Sequence, residues 1–292
     1  MNSDTNISHA ERLLVFGSKG QVATELKNLV PLRALDRDAV DLSDPKACTA
    51  EIFAQRPRAV INAAAYTAVD RAEEEEALAT VINGAAPAAM ARACAALGIP
   101  LVHISTDYVF AGNDTRAWTS HDVPMPQNAY GRSKLAGEEA IRQSGCTHAI
   151  LRTSWVFSAH GINFVKTMLR LGAERDSLRV VADQVGGPTP ASAIAGACLQ
   201  IADALQADPS KSGTYHFSGA PEISWAGFAR AIMKEAGLGC RIEDITTAEY
   251  PTPAYRPLNS RLDCSALDVF GLQQPDWCAA LKTVIDDLKG TP

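Results

Sequence analysis

The chain has 292 residues with 27 basic and 33 acidic side chains, for a net charge of -6. This balance gives no general electrostatic reason to expect nucleic acid or an acidic membrane surface as a partner, so a phosphate-bearing ligand would have to be held locally. The length is enough to bury a sizeable core, in one large lobe with a smaller one attached.

Cysteine usage and apolar runs narrow the class further. The seven cysteines are widely spaced and contain no Cys-x-x-Cys, so neither a disulfide framework nor a zinc site is indicated. The first ten residues are polar, without the apolar core of a signal peptide, and no stretch reaches the roughly 18 apolar residues of a membrane span. We expect reduced thiols and a cytoplasmic protein.

Short apolar runs alternate with helical patterns through the first half of the chain. Strands are predicted at residues 13–16, 33–35, 59–61, 101–104 and 149–151. Helices are predicted from Gly20, from Asp44, over an alanine-rich stretch that ends near Leu97, and around Tyr130 and Lys134. Continuous apolar strands separated by helices predict a parallel sheet covered on both faces, which is a doubly wound, Rossmann-like α/β fold.

The second half is less regular. Prolines interrupt it repeatedly after about Gly172, and helices are predicted at residues 191–205 and 225–236. We assign residues 1–172 mainly to the sheet domain, which would bind a cofactor, and residues 173–292 mainly to a smaller substrate-binding lobe. With no linker between them, the two should share one core.

A glycine turn follows the first strand. Gly17 and Gly20 are followed by Ala23, in the spacing Gly-x-x-Gly-x-x-Ala. Such a turn brings backbone N–H groups at a helix start close to a pyrophosphate, although a tight turn without a ligand fits this spacing equally well. Asp36 ends the second strand, where an acid can accept hydrogen bonds from the ribose of a dinucleotide. Arg37 beside it could pair with a 2'-phosphate, so NAD and NADP both stay open.

Side chains suited to carbonyl chemistry follow the fourth strand. Thr106 stands at the carboxyl end of that strand, where doubly wound folds bind ligands, and can donate to a carbonyl oxygen. Tyr130 and Lys134 share one helix face at a Cβ distance of about 6 Å, where an ammonium would lower the pKa of the phenol. Each feature alone has a commoner structural explanation, such as a turn cap or an aromatic ring on a lysine stem. Their joint order along one sheet favours a site that reduces a carbonyl.

Longer strings of characteristic residues are spread over nearly the whole length of the chain. They lie at residues 16–22, 62–70, 105–110, 130–138, 152–156, 183–189 and 250–263. On these strings the chain resembles the dTDP-4-dehydrorhamnose reductases, a family of the extended short-chain dehydrogenase/reductases. The last string, with Tyr250, Arg256, Asn259 and Asp263, is typical of this family rather than of sugar-nucleotide epimerases.

The resemblance implies a reaction and a set of roles. The reaction is hydride transfer from NADPH or NADH to C4 of dTDP-4-dehydro-L-rhamnose, giving dTDP-L-rhamnose for surface polysaccharide. Tyr130 would be the proton donor, Lys134 would hold the nicotinamide ribose and lower the tyrosine pKa, and Thr106 would hydrogen-bond the C4 oxygen. The implied substrate residues are Thr106, Asp107 and Trp155, with Arg256 a candidate for the diphosphate. The implied cofactor residues are Gly17, Gly20, Gln21, Val22, Asp36, Asp41, Leu42, Ala65, Tyr66, Thr67, Ile104, Tyr130 and Lys134.

Two departures from the family pattern bear on these roles. Ala23 replaces a third glycine at a position that packs rather than binds, so we expect it to be tolerated. Ser192 stands where some members have a glutamate that serves a magnesium-bridged dimer contact, which speaks against that magnesium site here and leaves a homodimer open. The six histidines lack ligand spacing such as His-x-x-x-His, so we assign no catalytic metal.

Three related functions stay open on the residues alone. A nucleotide-sugar epimerase or dehydratase that retains NAD shares the threonine, tyrosine and lysine. A 4-reductase with a 6-deoxy-talose product differs only in the face of the ketone that it presents to hydride. A non-catalytic regulatory subunit, like that of methionine adenosyltransferase, has the same fold. The complete catalytic set and the string at 250–263 favour the reductase.

Overall fold

The computed structural model of the chain describes residues 13–290. The first ten residues, on which the expectation about a signal peptide rests, lie outside this part. The helices are α1 (Gln21–Leu29), α2 (Pro45–Gln55), α3 (Glu76–Thr80), α4 (Ala86–Leu97), α5 (Ala129–Gln143), α6 (Phe164–Glu174), α7 (Ala191–Ala207), α8 (Trp225–Ala236) and α9 (Trp277–Gly290). The strands are β1 (Leu13–Phe16), β2 (Arg33–Leu35), β3 (Ala59–Asn62), β4 (Leu101–Thr106), β5 (His148–Thr153), β6 (Val156–Phe157), β7 (Ser177–Val181), β8 (Val185–Gly186), β9 (Thr189–Pro190), β10 (Gly213–His216), β11 (Ile223–Ser224), β12 (Arg241–Ile245) and β13 (Asn259–Ser260).

Six strands form one parallel sheet in the order β10-β5-β4-β3-β1-β2. Successive side chains point to opposite faces, so Leu13 and Val15 enter one hydrophobic core while Leu14 and Phe16 enter the other. Helices α1 and α7 complete the first core, and α2, α4 and α5 complete the second. The doubly wound, Rossmann-like fold predicted from the alternating pattern is confirmed.

A smaller lobe is built around a hydrophobic cluster of its own. Helices α6, α8 and α9 enclose Phe157, Phe228 and Trp277, and the parallel pair β7 and β12 adds Leu178 and Ile242. This cluster is separate from the two cores that flank the sheet.

The two lobes interleave along the chain. Helix α6, from the first half, packs in the smaller lobe. Helix α7 and strand β10, from the second half, complete the large sheet and its core. The division mainly into residues 1–172 and residues 173–292 stays a prediction, with α7 and β10 as elements of the second half that pack on the large sheet.

The alanine-rich helix that was predicted as one element is interrupted. A π-helical turn at Val81–Ala85 separates α3 from α4. Asn83 and Gly84, both weak helix formers, lie in this turn, and Asn83 is 1% exposed. Such turns occur frequently at functional sites, and this one faces helix α5.

Candidate active site

Helix α5 is held close to the end of strand β4. Its N-cap Asn128 accepts a hydrogen bond from the backbone N–H of Gly131 at 2.7 Å. A Cβ atom at Gly131 would overlap the carbonyl oxygen of Tyr108, so only glycine permits this approach. The ring of Tyr130 consequently packs edge-on against that of Tyr108, with 5.6 Å between centroids.

Tyr130 joins a polar group with the two residues that follow from β4. The hydroxyl of Thr106 donates to Oδ1 of Asp107 at 3.1 Å and also contacts Tyr130. Burial raises the pKa of Tyr130, and the nearby carboxylate of Asp107 raises it further, while the contact with Thr106 opposes both. Tyr130 therefore keeps its proton at neutral pH.

Lys134 lies one helical turn beyond Tyr130 and is 2% exposed. Its Nζ donates to the carbonyl oxygen of Ile104 at 2.7 Å and lies 3.2 Å from Nε2 of His103. Burial lowers the pKa of Lys134 to about 8, and Glu138 acts in the opposite direction. Burial acts most strongly on the pKa of Tyr130 here, and the lowering of that pKa by Lys134 stays a prediction.

Glu138, one further turn along α5, ties the helix to the sheet. This fully buried carboxylate accepts hydrogen bonds from Arg152 at 2.6 and 2.9 Å and from the hydroxyl of Ser105 at 2.6 Å. Burial alone would raise the pKa of Glu138, but the hydrogen bonds from Arg152 hold it below its usual value. The face of α5 that carries Tyr130 and Lys134 is thereby fixed in rotation.

Asp107 is a buried acid with spare hydrogen-bonding capacity. Burial raises its pKa to about 6, and contacts with Ser260 and Thr106 moderate the rise. Its Oδ2 atom is buried and has no hydrogen-bond partner. Since buried polar atoms in folded proteins normally have partners, this oxygen is suited to accept a hydrogen bond from a substrate hydroxyl.

A cleft of about 500 Å3 opens at the carboxyl ends of β1, β2 and β3. The predicted cofactor residues that line it are Gly17, Gly20, Asp36, Asp41, Leu42, Ala65, Tyr66 and Thr67. Gly17 has a φ of +104°, and a Cβ there would press on the backbone of Ala63 and Ala64, whereas the space beside Gly20 is open. The turn therefore fits a pyrophosphate at the start of α1.

Charged side chains border the adenosine end of this cleft. Asp36 accepts a hydrogen bond from the backbone N–H of Ala39 at 3.0 Å, which holds its pKa below the usual value, and Lys19 lies 3.6 Å away. Arg37 donates to Asp41 at 3.2 Å. An ionised acid and two basic groups thus meet where a ribose with or without a 2'-phosphate would lie.

Five predicted cofactor residues lie outside the lining of the cleft, namely Gln21, Val22, Ile104, Tyr130 and Lys134. Val22 is part of the core between α1 and α7. The side chain of Gln21 donates to Val156 at 3.4 Å and accepts from Ser158 and Asn163 at 2.9 and 3.0 Å, so it links α1 to the smaller lobe. Ile104 offers its carbonyl oxygen to Lys134.

Asn83, which the sequence analysis missed, connects the cofactor cleft with α5. Its side chain accepts from the backbone N–H of Tyr66 at 2.8 Å, and donates to the carbonyl of Tyr66 at 3.0 Å and to Ser133 at 2.9 Å. The Asn-Gly pair within an otherwise helical pattern was the available signal, because asparagine and glycine weaken a helix.

The predicted substrate residues come from both halves of the chain. Trp155 has a φ of +50° and stacks on Trp225 of α8 with ring centroids 3.6 Å apart. Arg256 donates to Asp70 at 2.8 Å, and the neighbouring carbonyl of Tyr255 accepts from Asn128 at 2.8 Å. The string at 250–263 is thus brought to the start of α5, but the guanidinium predicted to bind diphosphate is engaged by an acid.

Residues 13–290 contain neither a metal cluster nor a membrane span. In that part no three histidine, cysteine, aspartate or glutamate side chains gather as a metal site, and Ser192 is exposed at the start of α7. The helices of the described part include none that is both long and apolar enough to cross a bilayer.

A tyrosine and a lysine one turn apart, at the cofactor end of a doubly wound sheet, are features of the short-chain dehydrogenase/reductases. With a second lobe over the strand ends, the chain is an oxidoreductase of their extended group.

Comparison with known proteins narrows this class to one family. The family model described as the RmlD substrate binding domain matches residues 11–289. The dTDP-4-dehydrorhamnose reductase of Sinorhizobium fredii is 43% identical over 277 residues, which cover 91% of this chain and 94% of that protein. The enzyme of the same name from Burkholderia thailandensis is 42% identical over 294 residues, covering 95% and 99%.

A solved structure of the same family is also similar to this chain. The crystal structure of dTDP-4-dehydrorhamnose reductase from Bacillus anthracis in complex with NADP superposes with a TM-score of 0.88 at 35% identity, covering 95% of this chain and 99% of that one. The chain belongs to the dTDP-4-dehydrorhamnose reductase family, as the motifs predicted.

Proposed function

We propose that this protein reduces the C4 ketone of dTDP-4-dehydro-L-rhamnose to dTDP-L-rhamnose, with Tyr130 as the proton donor. The observation that carries the proposal is the polar group of Tyr130, Thr106 and Asp107 at the carboxyl end of β4. A ketone oxygen that reaches this group would meet two hydroxyl donors as negative charge develops on it.

The raised pKa of Tyr130 suits the reductive direction. A phenol that is fully protonated at neutral pH has a proton to give to an alkoxide, whereas a phenolate would serve oxidation. Thr106 would stabilise the developing alkoxide by turning towards it the hydroxyl hydrogen that Asp107 otherwise accepts. Lys134, fixed on the same face of α5, would hold the nicotinamide ribose.

The cleft at the glycine turn would hold the dinucleotide, which supplies the hydride when bound. Gly17 and Gly20 leave room for the pyrophosphate, and Asp36 would accept from the adenosine ribose. Lys19 and Arg37 beside Asp36 are both suited to a 2'-phosphate. We therefore infer that NADPH is accepted as well as NADH, which agrees with the NADP in the relative from Bacillus anthracis.

The sugar nucleotide would lie between the end of β4 and the smaller lobe. The unpartnered oxygen of Asp107 is suited to a sugar hydroxyl, and the stacked rings of Trp155 and Trp225 present a flat apolar surface beside it. The guanidinium of Arg256 would bind the diphosphate, either in place of its hydrogen bond to Asp70 or in addition to it.

The proposal is tested by following NADPH and NADH oxidation with dTDP-4-dehydro-L-rhamnose, and by determining the product by NMR. We expect stoichiometric oxidation and an L-rhamnose product. A talose product would replace the proposed stereochemistry, and turnover of a nucleotide sugar without net oxidation would indicate an epimerase. Absence of oxidation with either cofactor would indicate a non-catalytic regulatory subunit of the same fold.

A further inference from the structure

Three buried side chains, Asn62, His103 and Lys134, form a hydrogen-bonded row that links the sheet to helix α5. Asn62 ends β3, and His103 lies directly opposite it on β4. The Nδ2 atom of Asn62 lies 3.0 Å from Nδ1 of His103, and Nε2 of His103 lies 3.2 Å from Nζ of Lys134. All three side chains are at most 2% exposed, so each must find its partners within the row.

The direction of these hydrogen bonds follows from one backbone group. The N–H of Ala64 donates to Oδ1 of Asn62 at 3.2 Å, and a backbone N–H can only donate. The amide of Asn62 is thereby oriented with its NH2 group towards His103, so Nδ1 of the ring must accept. Complete burial lowers the pKa of His103 well below its usual value, so the ring is neutral. Its single proton therefore sits on Nε2, facing Lys134.

If Lys134 were an ammonium, the Nε2–H of His103 would face a group that can only donate, and no hydrogen bond could form between them. The conflict disappears when Lys134 is a neutral amine, because its lone pair then accepts from Nε2–H while one of its hydrogens still goes to the carbonyl of Ile104 at 2.7 Å. Every polar atom of the row then has a complementary partner, in the order Ala64, Asn62, His103, Lys134 and Ile104.

We propose that His103 is a positioning residue for Lys134, and that its Nε2–H, set by Asn62, holds the neutral form of the lysine at β4 and so favours the loss of its proton. This deepens the proposed function, on which it rests for its catalytic meaning: Lys134 would be a group that gains and loses a proton rather than a fixed cation. Glu138 on α5 favours the ammonium, and His148 on β5 disfavours charge on His103. Tyr130 shares the face of α5 with Lys134 and is neutral.

The first test is the tautomer of His103, read by nitrogen NMR of protein with labelled histidine in the absence of ligands. The signal is assigned through its loss in His103→Phe. We expect a protonated Nε2 and an unprotonated Nδ1. In the near-isosteric variant Asn62→Asp, a carboxylate faces Nδ1, and we expect the proton to move to that nitrogen. A proton on Nδ1 in the unsubstituted protein would overturn the proposal.

The second test is the pH midpoint at which Lys134 gains its charge, followed by NMR of labelled lysine. Loss of the Nε2–H donor in His103→Phe should raise this midpoint by about 0.5 to 1 pH unit, since a hydrogen bond is worth roughly 0.5 to 1.5 kcal/mol and one unit is about 1.4 kcal/mol. The matched control is His216→Phe, which removes an equally buried histidine on β10. A lowered midpoint in His103→Phe would mean that the ring stabilises the ammonium, which contradicts the proposal.

Both measurements are made without turnover. A protein that oxidises no cofactor but shows the expected tautomer and midpoint would defeat the proposed function and leave the row intact. An active reductase in which His103 carries its proton on Nδ1 would contradict the proposed role of His103 and leave the proposed function intact.

Discussion

At the scale of single residues, Tyr130 is the group whose loss should cost most. Tyr130→Phe keeps the ring that packs on Tyr108 and leaves Lys134 in place, so cofactor affinity should be unchanged. The rate should fall by about 100- to 10,000-fold, the usual contribution of a positioned acid. The matched control is Tyr215→Phe, whose hydroxyl donates to Lys211 away from the site. Wild-type turnover in Tyr130→Phe would reject the proton-donor role.

Asp107 belongs to the same scale and makes a prediction about pH and stability. Its folded pKa of about 6 lies above the ordinary value of 3.8 because of burial. A raised carboxyl pKa gives a contribution that is fully present below the unfolded pKa and is lost as the pH rises through the folded one. Wild-type protein should therefore lose about 2 kcal/mol relative to Asp107→Asn between pH 4 and pH 8. Urea unfolding of both proteins at the two pH values measures this difference, and parallel pH curves would contradict it.

At the scale of elements, the close contact between α5 and the π-helical turn is the feature most sensitive to a small change. A Cβ at Gly137 would overlap the carbonyl oxygen of Asn83, whereas Gly196 in α7 has open space around it. Gly137→Ala should lower the free energy of unfolding by about 1 to 3 kcal/mol. Gly196→Ala should raise it by about 0.5 to 1 kcal/mol, because alanine favours a helix. Thermal or urea unfolding compares the two variants, and equal effects of the same sign would refute the packing argument.

Elements with a strong pattern could be predicted, and elements that depend on contacts could not. Strand β1 and helix α8 have the predicted bounds, because apolar runs and caps lie within the segments themselves. The π-helical turn is stabilised by Asn83 binding Tyr66 and Ser133, residues 17 and 50 positions away. The partnership of His103 with Lys134 likewise depends on β4 and α5 meeting in space. No local spacing carries such information.

At the scale of the whole molecule, one ion pair joins the loop after β3 to the loop before β13. If Arg256 binds the diphosphate, Arg256→Ala should weaken dTDP binding by about 10- to 100-fold. Asp70→Asn removes the competing acid and should tighten it by up to about 5-fold. The control is Glu222→Gln, which breaks the neighbouring pair with Arg261. Calorimetry with dTDP measures all three, and unchanged affinity in both Arg256→Ala and Asp70→Asn would exclude the clamp.

The fold class could be predicted at this scale, whereas the route of the chain through the two lobes could not. The alternation of strands and helices is a property of the sequence, and it specifies a doubly wound sheet. Residues 213–216 return to that sheet and pair with β5. This pairing depends on residues far apart in the chain, and a four-residue strand has no pattern that predicts it.

The return of β10 to the large sheet determines when the sheet can fold during synthesis. A nascent chain that ends at residue 172 has β5 with an unpaired edge, and it lacks α7, which covers Leu13 and Val15 in the finished core. Open strand edges and uncovered apolar faces promote aggregation. The sheet can close only after residue 216 has been synthesised, so a fragment meant to fold as the nucleotide-binding part should extend beyond that residue instead of stopping at 172.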